Sequence, residues 1–244
     1  MLTLNITVIA QTEKADSTNR FNDILINTRF IDYGLEYYII DSKSSFIENH
    51  VLFQPIIDDK NIFNIELGIV TAFQEDGNHT TPGDLSLSYQ RNFTYRNYES
   101  SGYQGFATKM KLVIPTGRDE YLSGFDSWTI EPLVGTQWLF ENQNWFTSIQ
   151  IRYSYSFATL PGKEPRFDFL RVEYFFGYES STSWLFLAPD YRYVPSVAGN
   201  NLFLGLDFGY KIRKSYGFKA LLKPRLVGKQ YFAFYSLAGF YLYL

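Results

Sequence analysis

The chain has 244 residues, no cysteine, two histidines, two methionines and no apolar run approaching the roughly 18 residues of a membrane-spanning helix. Without cysteine there are no disulfides and no thiolate metal sites, and the redox compartment stays open. The missing apolar run excludes a helical span. It does not exclude a barrel, because alternating lipid-facing and lumen-facing residues cancel in any sliding average. No phosphate-cradling glycine loop and no cluster with metal-ligand spacing is present. No cofactor, no metal and no nucleic-acid partner are therefore expected.

Aromatic residues are abundant instead. Twenty tyrosines and 23 phenylalanines bring the aromatic share to 19%, more than a soluble core of this size needs. Aromatic girdles at two membrane interfaces absorb such an excess, since amphipathic rings favour the boundary between apolar and wet regions. Nothing in the middle of the chain reads as a linker, so 31–244 is expected to be one domain. Residues 1–10, MLTLNITVIA, resemble the end of a signal peptide, with Val8 and Ala10 at the −3 and −1 positions of a small-residue cleavage site and no charged residue before the apolar part. Residues 11–30 then form an N-terminal segment expected in the periplasm.

From Ile31 to Leu244 the dominant period is two, the mark of strands with chemically different faces. Between Trp145 and Ala158, Trp145, Thr147, Ile149, Ile151, Tyr153, Tyr155 and Phe157 share one face; Phe146, Ser148, Gln150, Arg152, Ser154, Ser156 and Ala158 share the other. Between Leu202 and Arg213 the same split sets Leu204, Leu206, Phe208, Tyr210 and Ile212 against Gly205, Asp207, Gly209, Lys211 and Arg213. A register slip of one residue would put those charges in hydrocarbon. The same reading places strands at 31–40, 46–57, 62–73, 83–95, 104–116, 127–140, 145–158, 166–178, 183–194, 201–213, 217–227 and 231–244. Twelve is even, as single-chain bacterial barrels require, and most runs match the length needed to cross a bilayer at a tilt.

The connections sort by parity. Turns at 58–61, 141–144, 180–182 and 214–216 are tight, whereas Gln74–Pro82, Gly117–Asp126, Leu160–Pro165 and Pro195–Asn200 are mostly longer. Arg96–Gly102 and Gly228-Lys229 break the rule. Short periplasmic turns and longer external loops are expected of a transmembrane barrel in the bacterial outer membrane. In the last strand Phe232, Phe234, Ala238, Phe240, Leu242 and Leu244 are expected on one face, with Gly239 and Tyr241 on the other. The ending resembles the signal read by the outer-membrane assembly machinery, making that machinery and outer-membrane lipid the expected partners. A soluble β-sandwich also alternates, but strand length, aromatic load and the chain ends favour the all-β, antiparallel up-and-down membrane barrel.

The expected inner face carries acids early, at Asp32, Glu36, Glu48, Glu66 and Asp84, and bases later, at Lys109, Lys111, Arg152, Arg171, Arg192, Lys211, Arg213, Lys219, Lys223 and Arg225. Candidates for lining the lumen are Glu66, Lys109, Lys111, Glu131, Arg152, Arg171, Glu173, Asp190, Arg192, Asp207, Lys211, Lys223 and Arg225. Cross-strand ion pairing, such as Arg171 and Glu173 against Arg192 and Asp190, is one reading; a transverse field that orients a polar or anionic solute is the other. Twelve strands leave a lumen between a filled eight-stranded barrel and an open sixteen-stranded porin.

Gly83-Asp84-Leu85 opening a strand, then a strand ending Pro115-Thr116-Gly117, then Ser123-Gly124-Phe125-Asp126 before Trp128 and Pro132, resemble the outer-membrane transporter family named for the MetA pathway of phenol degradation. The resemblance covers about 83–132 and implies uptake of small solutes, aromatic or hydrophobic compounds among them. Gly83 and Gly117 have a plainer role as well, because glycines at strand ends serve turns and bulges. A non-transporting structural or partner-binding barrel is the alternative; the modest loops disfavour adhesion. For a lipid hydrolase, His79 beside Thr80 and Thr81 lacks triad partners at useful spacing, so no enzyme is expected.

Overall fold

The computed structural model describes residues 29–58, 60–94, 102–118, 124, 126–140, 144–162, 168–213, 215–229 and 232–244. The expected signal segment and most of 11–30 lie outside the described residues. Thirteen strands follow in chain order: β1 (Phe30–Ile39), β2 (Ser45–Gln54), β3 (Asn61–Gln74), β4 (Gly77–Pro82), β5 (Leu85–Thr94), β6 (Tyr103–Ile114), β7 (Ser127–Leu139), β8 (Trp145–Thr159), β9 (Phe169–Glu179), β10 (Ser183–Val194), β11 (Gly199–Arg213), β12 (Tyr216–Val227) and β13 (Phe234–Tyr243). Each pairs antiparallel with its neighbours, and β1 pairs with β13 from Phe30↔Tyr243 to Ile39↔Phe234, closing the sheet. Closure gives every strand but β4 a partner on both sides among the described residues, and a closed ladder is what hydrocarbon demands of backbone amides.

Thirteen strands make twelve staves. β4 pairs with the upper half of β3 and β5 with its lower half, so the two are one stave broken at Gly83-Asp84. Three steps on β3, from Glu66 to Ile69, oppose four on the partner, from Ser86 back to Pro82. That extra residue is a bulge, and it switches which parity faces inward. The expected long loop at Gln74–Pro82 is therefore a hairpin turning at Glu75-Asp76, stitched by a Thr71–Thr80 hydroxyl contact of 3.0 Å. Composition misleads here because Asn78, Pro82 and Gly83 are turn formers and no residue from 78 to 81 is apolar. The connection at Pro195–Val197 is also compact, a single 3-10 turn, so the length difference between the two rims is smaller than the sequence suggests. β2 stops at Gln54 before Pro55, short of the expected 57, leaving only an isolated Ile56↔Ile62 bridge.

Faces follow the alternation. Ile151, Tyr153, Tyr155 and Phe157 on β8 and Leu206, Phe208, Tyr210 and Ile212 on β11 all point outward and are exposed, while Phe146, Ser148, Ser154, Phe203 and Asp207 are buried within. This apolar exterior continues around the barrel through Tyr33, Leu35, Leu67, Ile69, Leu185 and Leu187. It far exceeds any patch a water-soluble monomer tolerates and marks a surface solvated by lipid. Outward rings pack together near one rim, Trp145 stacked on Phe176 at 5.3 Å and edge-on to Tyr178 at 5.4 Å, as in an interfacial girdle. Phe232 departs from its expected outward face. It precedes β13 at a bend, is buried, and packs inward on Phe203 and Tyr38.

Both described chain ends meet at one rim, where the Leu244 N–H donates to the Arg29 carbonyl at 2.8 Å. We term this the terminal rim and its opposite the far rim. At a terminal-rim turn, the Asn61 side chain and the Lys60 N–H donate to the Asp58 carboxylate, and these bonds hold its carboxyl below the usual range.

Leu206 lies at the middle of β11 on the lipid face. Leu206→Arg is expected to lower stability by about 2–4 kcal/mol, read as a shifted midpoint of urea unfolding in liposomes. An unchanged midpoint would contradict the lipid-facing assignment.

Candidate functional site

The lumen is the site, and its wall is built by one rule: every second residue of every strand points in. On β1 to β3 this sets Asp32, Glu36, Glu48, His50 and Glu66 inside, with no inward Lys or Arg among the described residues. On β6 to β12 it sets Lys109, Lys111, Glu131, Arg152, Arg171, Glu173, Asp190, Arg192, Asp207, Lys211, Lys219 and Lys223 inside. The acidic wall expected from the early strands is present. The expected basic wall is interleaved with carboxylates, because Glu131, Glu173, Glu179, Asp190 and Asp207 share the inward parity of the bases.

Those carboxylates are bound. Asp190 receives Arg171 Nε at 3.0 Å, Arg171 Nη2 at 2.8 Å, Arg192 Nη2 at 2.9 Å and Lys223 Nζ at 3.2 Å. Glu173 receives Arg171 Nη2 and Lys223 Nζ, each at 2.7 Å. Lys111 reaches Glu66 at 3.0 Å and Arg152 lies 3.6 Å from Glu131. Low-dielectric surroundings make such pairing obligatory, since an unpaired buried charge costs several kcal/mol.

Four lysines reach past a neighbouring strand: Lys111 on β6 crosses β5 to Glu66 on β3, Lys211 on β11 crosses β10 to Glu179 on β9, and two more cross at a glycine. Lys223 on β12 crosses β11 to reach Asp190 on β10, and Lys219 crosses β13 to reach Asp32 on β1. A Cβ at Gly205 would stand 3.2 Å from Lys223 Cε, and a Cβ at Gly239 would stand 3.2 Å from Lys219 Cε. The intervening strand is smooth where the lysine must pass.

Three layers result. Near the terminal rim, Leu139, Phe146, Trp184, Phe186 and Tyr241 pack into one buried cluster, with Phe146 and Phe186 edge to face at 4.7 Å. Trp184 Nε1 donates to Asp207 at 2.9 Å, and Lys211 binds Glu179 beside it. The charged girdle lies in the middle. Toward the far rim, Tyr38 stacks on Phe46 at 4.3 Å and packs on Tyr235 at 4.6 Å and Phe232 at 5.4 Å, while the Arg192 guanidinium lies over Phe203 at 4.9 Å and Phe232 at 5.3 Å. A cavity of about 270 Å³ opens between girdle and rings, lined in part by Tyr38, Arg171, Glu173, Arg192, Asp207, Lys219, Lys223, Phe232 and Tyr235.

Of the candidates read from sequence, Arg171, Glu173, Arg192, Asp207 and Lys223 line this cavity, and Asp190 lies beneath them. Glu66, Lys109, Lys111, Glu131 and Arg152 belong to the neighbouring wall. Lys211 belongs to the terminal-rim layer, and Arg225 sits near the far end of β12, where its N–H bonds the Ala233 carbonyl at 2.9 Å. The sequence reading missed the aromatic lining. Tyr38 and Tyr235 share the inward parity of Glu36 and Gly239, which is a usable signal, whereas the bend that turns Phe232 inward leaves none.

The motif residues gather at the far rim, away from the cavity. Thr116 Oγ1 donates to the Gly83 carbonyl at 2.7 Å and accepts from the Leu85 N–H at 2.9 Å, and the Gly117 N–H donates to Asp84 at 2.9 Å. Gly124 packs so closely on Asp84 and Gly117 that an added Cβ would fall 2.4 Å from the Asp84 carboxylate. Pro115 leads from β6 into this latch. Asp126 ends the segment in a left-handed conformation, φ 50°, and its carbonyl accepts from the Leu160 N–H at 2.8 Å. Ser123 and Phe125 lie outside the described residues. His79 lies 3.7 Å from Asp76 in the adjoining hairpin. Among the described residues, no three His, Asp or Glu side chains are arranged to hold a metal ion.

No protein-family model and no curated protein matches the sequence. Solved structures do match in fold. The COG4313 outer membrane channel from Pseudomonas putida F1 superposes with a TM-score of 0.71 at 10% identity over 90% of this chain and 96% of that one. The NanC porin gives 0.59 at 11% identity over 88% and 99%, and the KdgM porin in complex with disordered oligogalacturonate 0.59 at 8% over 87% and 98%. At such identity the likeness speaks to the outer-membrane barrel architecture alone.

Lys223→Ala leaves Glu173 and Asp190 with fewer cations and is expected to cost about 3–5 kcal/mol. Lys43→Ala removes an ion pair with Glu75 whose side chains are 64% and 68% exposed and should cost under about 1 kcal/mol. Midpoints of urea unfolding separate the two; equal costs would contradict the girdle's role. Thr116→Val loses two of the three latch bonds and should cost about 1–3 kcal/mol while leaving conductance unchanged.

Proposed function

We propose that this barrel sits in the bacterial outer membrane, terminal rim toward the periplasm, and passes small solutes through its narrow, charge-lined lumen without acting as an enzyme. The observation that carries this reading is the cavity of about 270 Å³ inside a wall whose outer face is apolar. A polar hollow enclosed by a lipid-facing shell has an evident use as a path for solutes and little use in a purely structural barrel.

The motif latch formed by Gly83, Asp84, Thr116 and Gly117 supports placing the chain with the uptake barrels of the MetA-pathway type, and the fold likeness to a COG4313 channel agrees with it. Aromatic or hydrophobic compounds are then among the solutes. Phe240, Leu242 and Leu244, outward-facing and exposed at the end of the chain, suit recognition by the barrel assembly machinery. A lipid-hydrolase reading draws no support from His79, whose near carboxylate, Asp76, lies on the exposed hairpin turn.

The purified full chain in planar bilayers should give discrete single-channel currents in KCl, and liposomes containing it should swell in small neutral solutes but not in trisaccharides. A barrel silent in both assays would leave the structural or partner-binding reading in its place.

A further inference from the structure

Three arginines stand side by side on the lumen wall. Arg152 on β8 is directly opposite Arg171 on β9, which is directly opposite Arg192 on β10. Like charges in register on neighbouring strands, whose Cβ atoms are about 4.5–5.5 Å apart, destabilise a sheet. Stability alone gives no reason for three in a row. Carboxylates offset the repulsion from behind: Asp190 is fully buried and Glu131 is 6% exposed, whereas Arg152 and Arg171 keep 24% and 16% of their side chains exposed. Arg152 and Arg171 are thus more exposed to the lumen than Glu131 and Asp190, while Glu173, 11% exposed, lines the cavity beside Arg171. At the cavity itself three cations, Arg171, Arg192 and Lys223, share two carboxylates, Glu173 and Asp190.

The adjoining part of the same cavity is aromatic, formed by Tyr38, Phe232 and Tyr235, with Arg192 lying over Phe232. Two further acids lie nearby: Asp207 lines the cavity and accepts from Trp184, and Glu36 accepts from Tyr38 and lies 3.2 Å from His50; Lys219, also on the lining, pairs with Asp32. The volume falls below the roughly 300–1,000 Å³ typical of sites for drug-sized ligands and suits a single ring. We infer that the solute recognised here is a small aromatic carboxylate, its ring against Tyr38, Phe232 and Tyr235 and its carboxylate drawn to Arg171 and Lys223. Guanidinium and ammonium donors bind carboxylates through charge-assisted hydrogen bonds, and passage by steps along the arginine row fits a path that binds without trapping. This inference rests on the transport reading and narrows it to one chemical class.

The test uses the full chain in planar bilayers with sodium benzoate, benzamide and sodium acetate as blockers of the KCl current. Benzoate should half-block at a concentration about tenfold lower than either, the factor that roughly 1.4 kcal/mol confers. Benzamide removes the charge and acetate the ring. Tyr235→Leu, checked for folding by heat-modifiable gel mobility, should bring benzoate to the acetate level; should that variant misfold, the three probes on the unaltered chain decide. A normal KCl current with equal half-blocking by all three probes overturns the inference and leaves the transport reading intact. Absence of any KCl current overturns both.

Discussion

A charge that faces the lumen of a narrow barrel has lipid behind it and little water before it, so it must find a partner inside. Much else in this structure follows from that constraint. Asp190 gathers three cations, Glu173 two, and Glu66 one. Twelve staves set the wall too far across for direct pairing through the centre, so partners come from the same strand or from strands one to three places round the wall. Strands two apart are separated by about 9.5 Å, which an extended lysine spans only if little stands between. Gly205 and Gly239 provide that clearance for Lys223 and Lys219. The glycines of β11 and β13 are thus part of the electrostatics, because they decide which charges can meet.

The same requirement shapes the lumen. Asp190 and Glu131 neutralise the arginines from the wall side, whereas Glu173 lines the cavity beside Arg171. Rings then fill what the charges leave over. At the terminal rim Trp184, Phe186 and Tyr241 narrow the interior, and toward the far rim Tyr38, Phe232 and Tyr235 leave a hollow. Aromatic residues therefore do two separate jobs in this chain: those facing out anchor the barrel at the lipid interface, and those facing in set the bore.

Fold and faces were largely legible from the sequence because a period of two is local. Any residue of β8 or β11 can be assigned to lipid or lumen from its neighbours alone, and the structure agrees for Arg152, Asp207, Tyr153 and Leu206. The fourth stave was read too short for a related reason. Polar and turn-forming residues at 78–83 carry no apolar alternation, although the backbone there pairs with β3 as a strand, and the bulge at Gly83-Asp84 reverses the parity in mid-stave. The Phe232 error is also local, since parity counts backward from β13 only until the chain bends.

The charge network was legible as an inventory and not as a set of pairs. Arg171, Glu173, Asp190 and Arg192 were paired from sequence because β9 and β10 are consecutive, and consecutive strands in an up-and-down barrel are neighbours. Lys223 joins them only because the stagger of the sheet brings its level to theirs across β11, and the closing pair of β1 with β13 brings Lys219 to a residue 187 positions away. Stagger is a property of the whole closed sheet, so no window of sequence contains it. What a window does contain is the glycine on the inward parity of the strand between. An inward glycine flanked by strands with an inward lysine and an inward acid is a local sign of a non-local pair, and Gly205 and Gly239 both carry it.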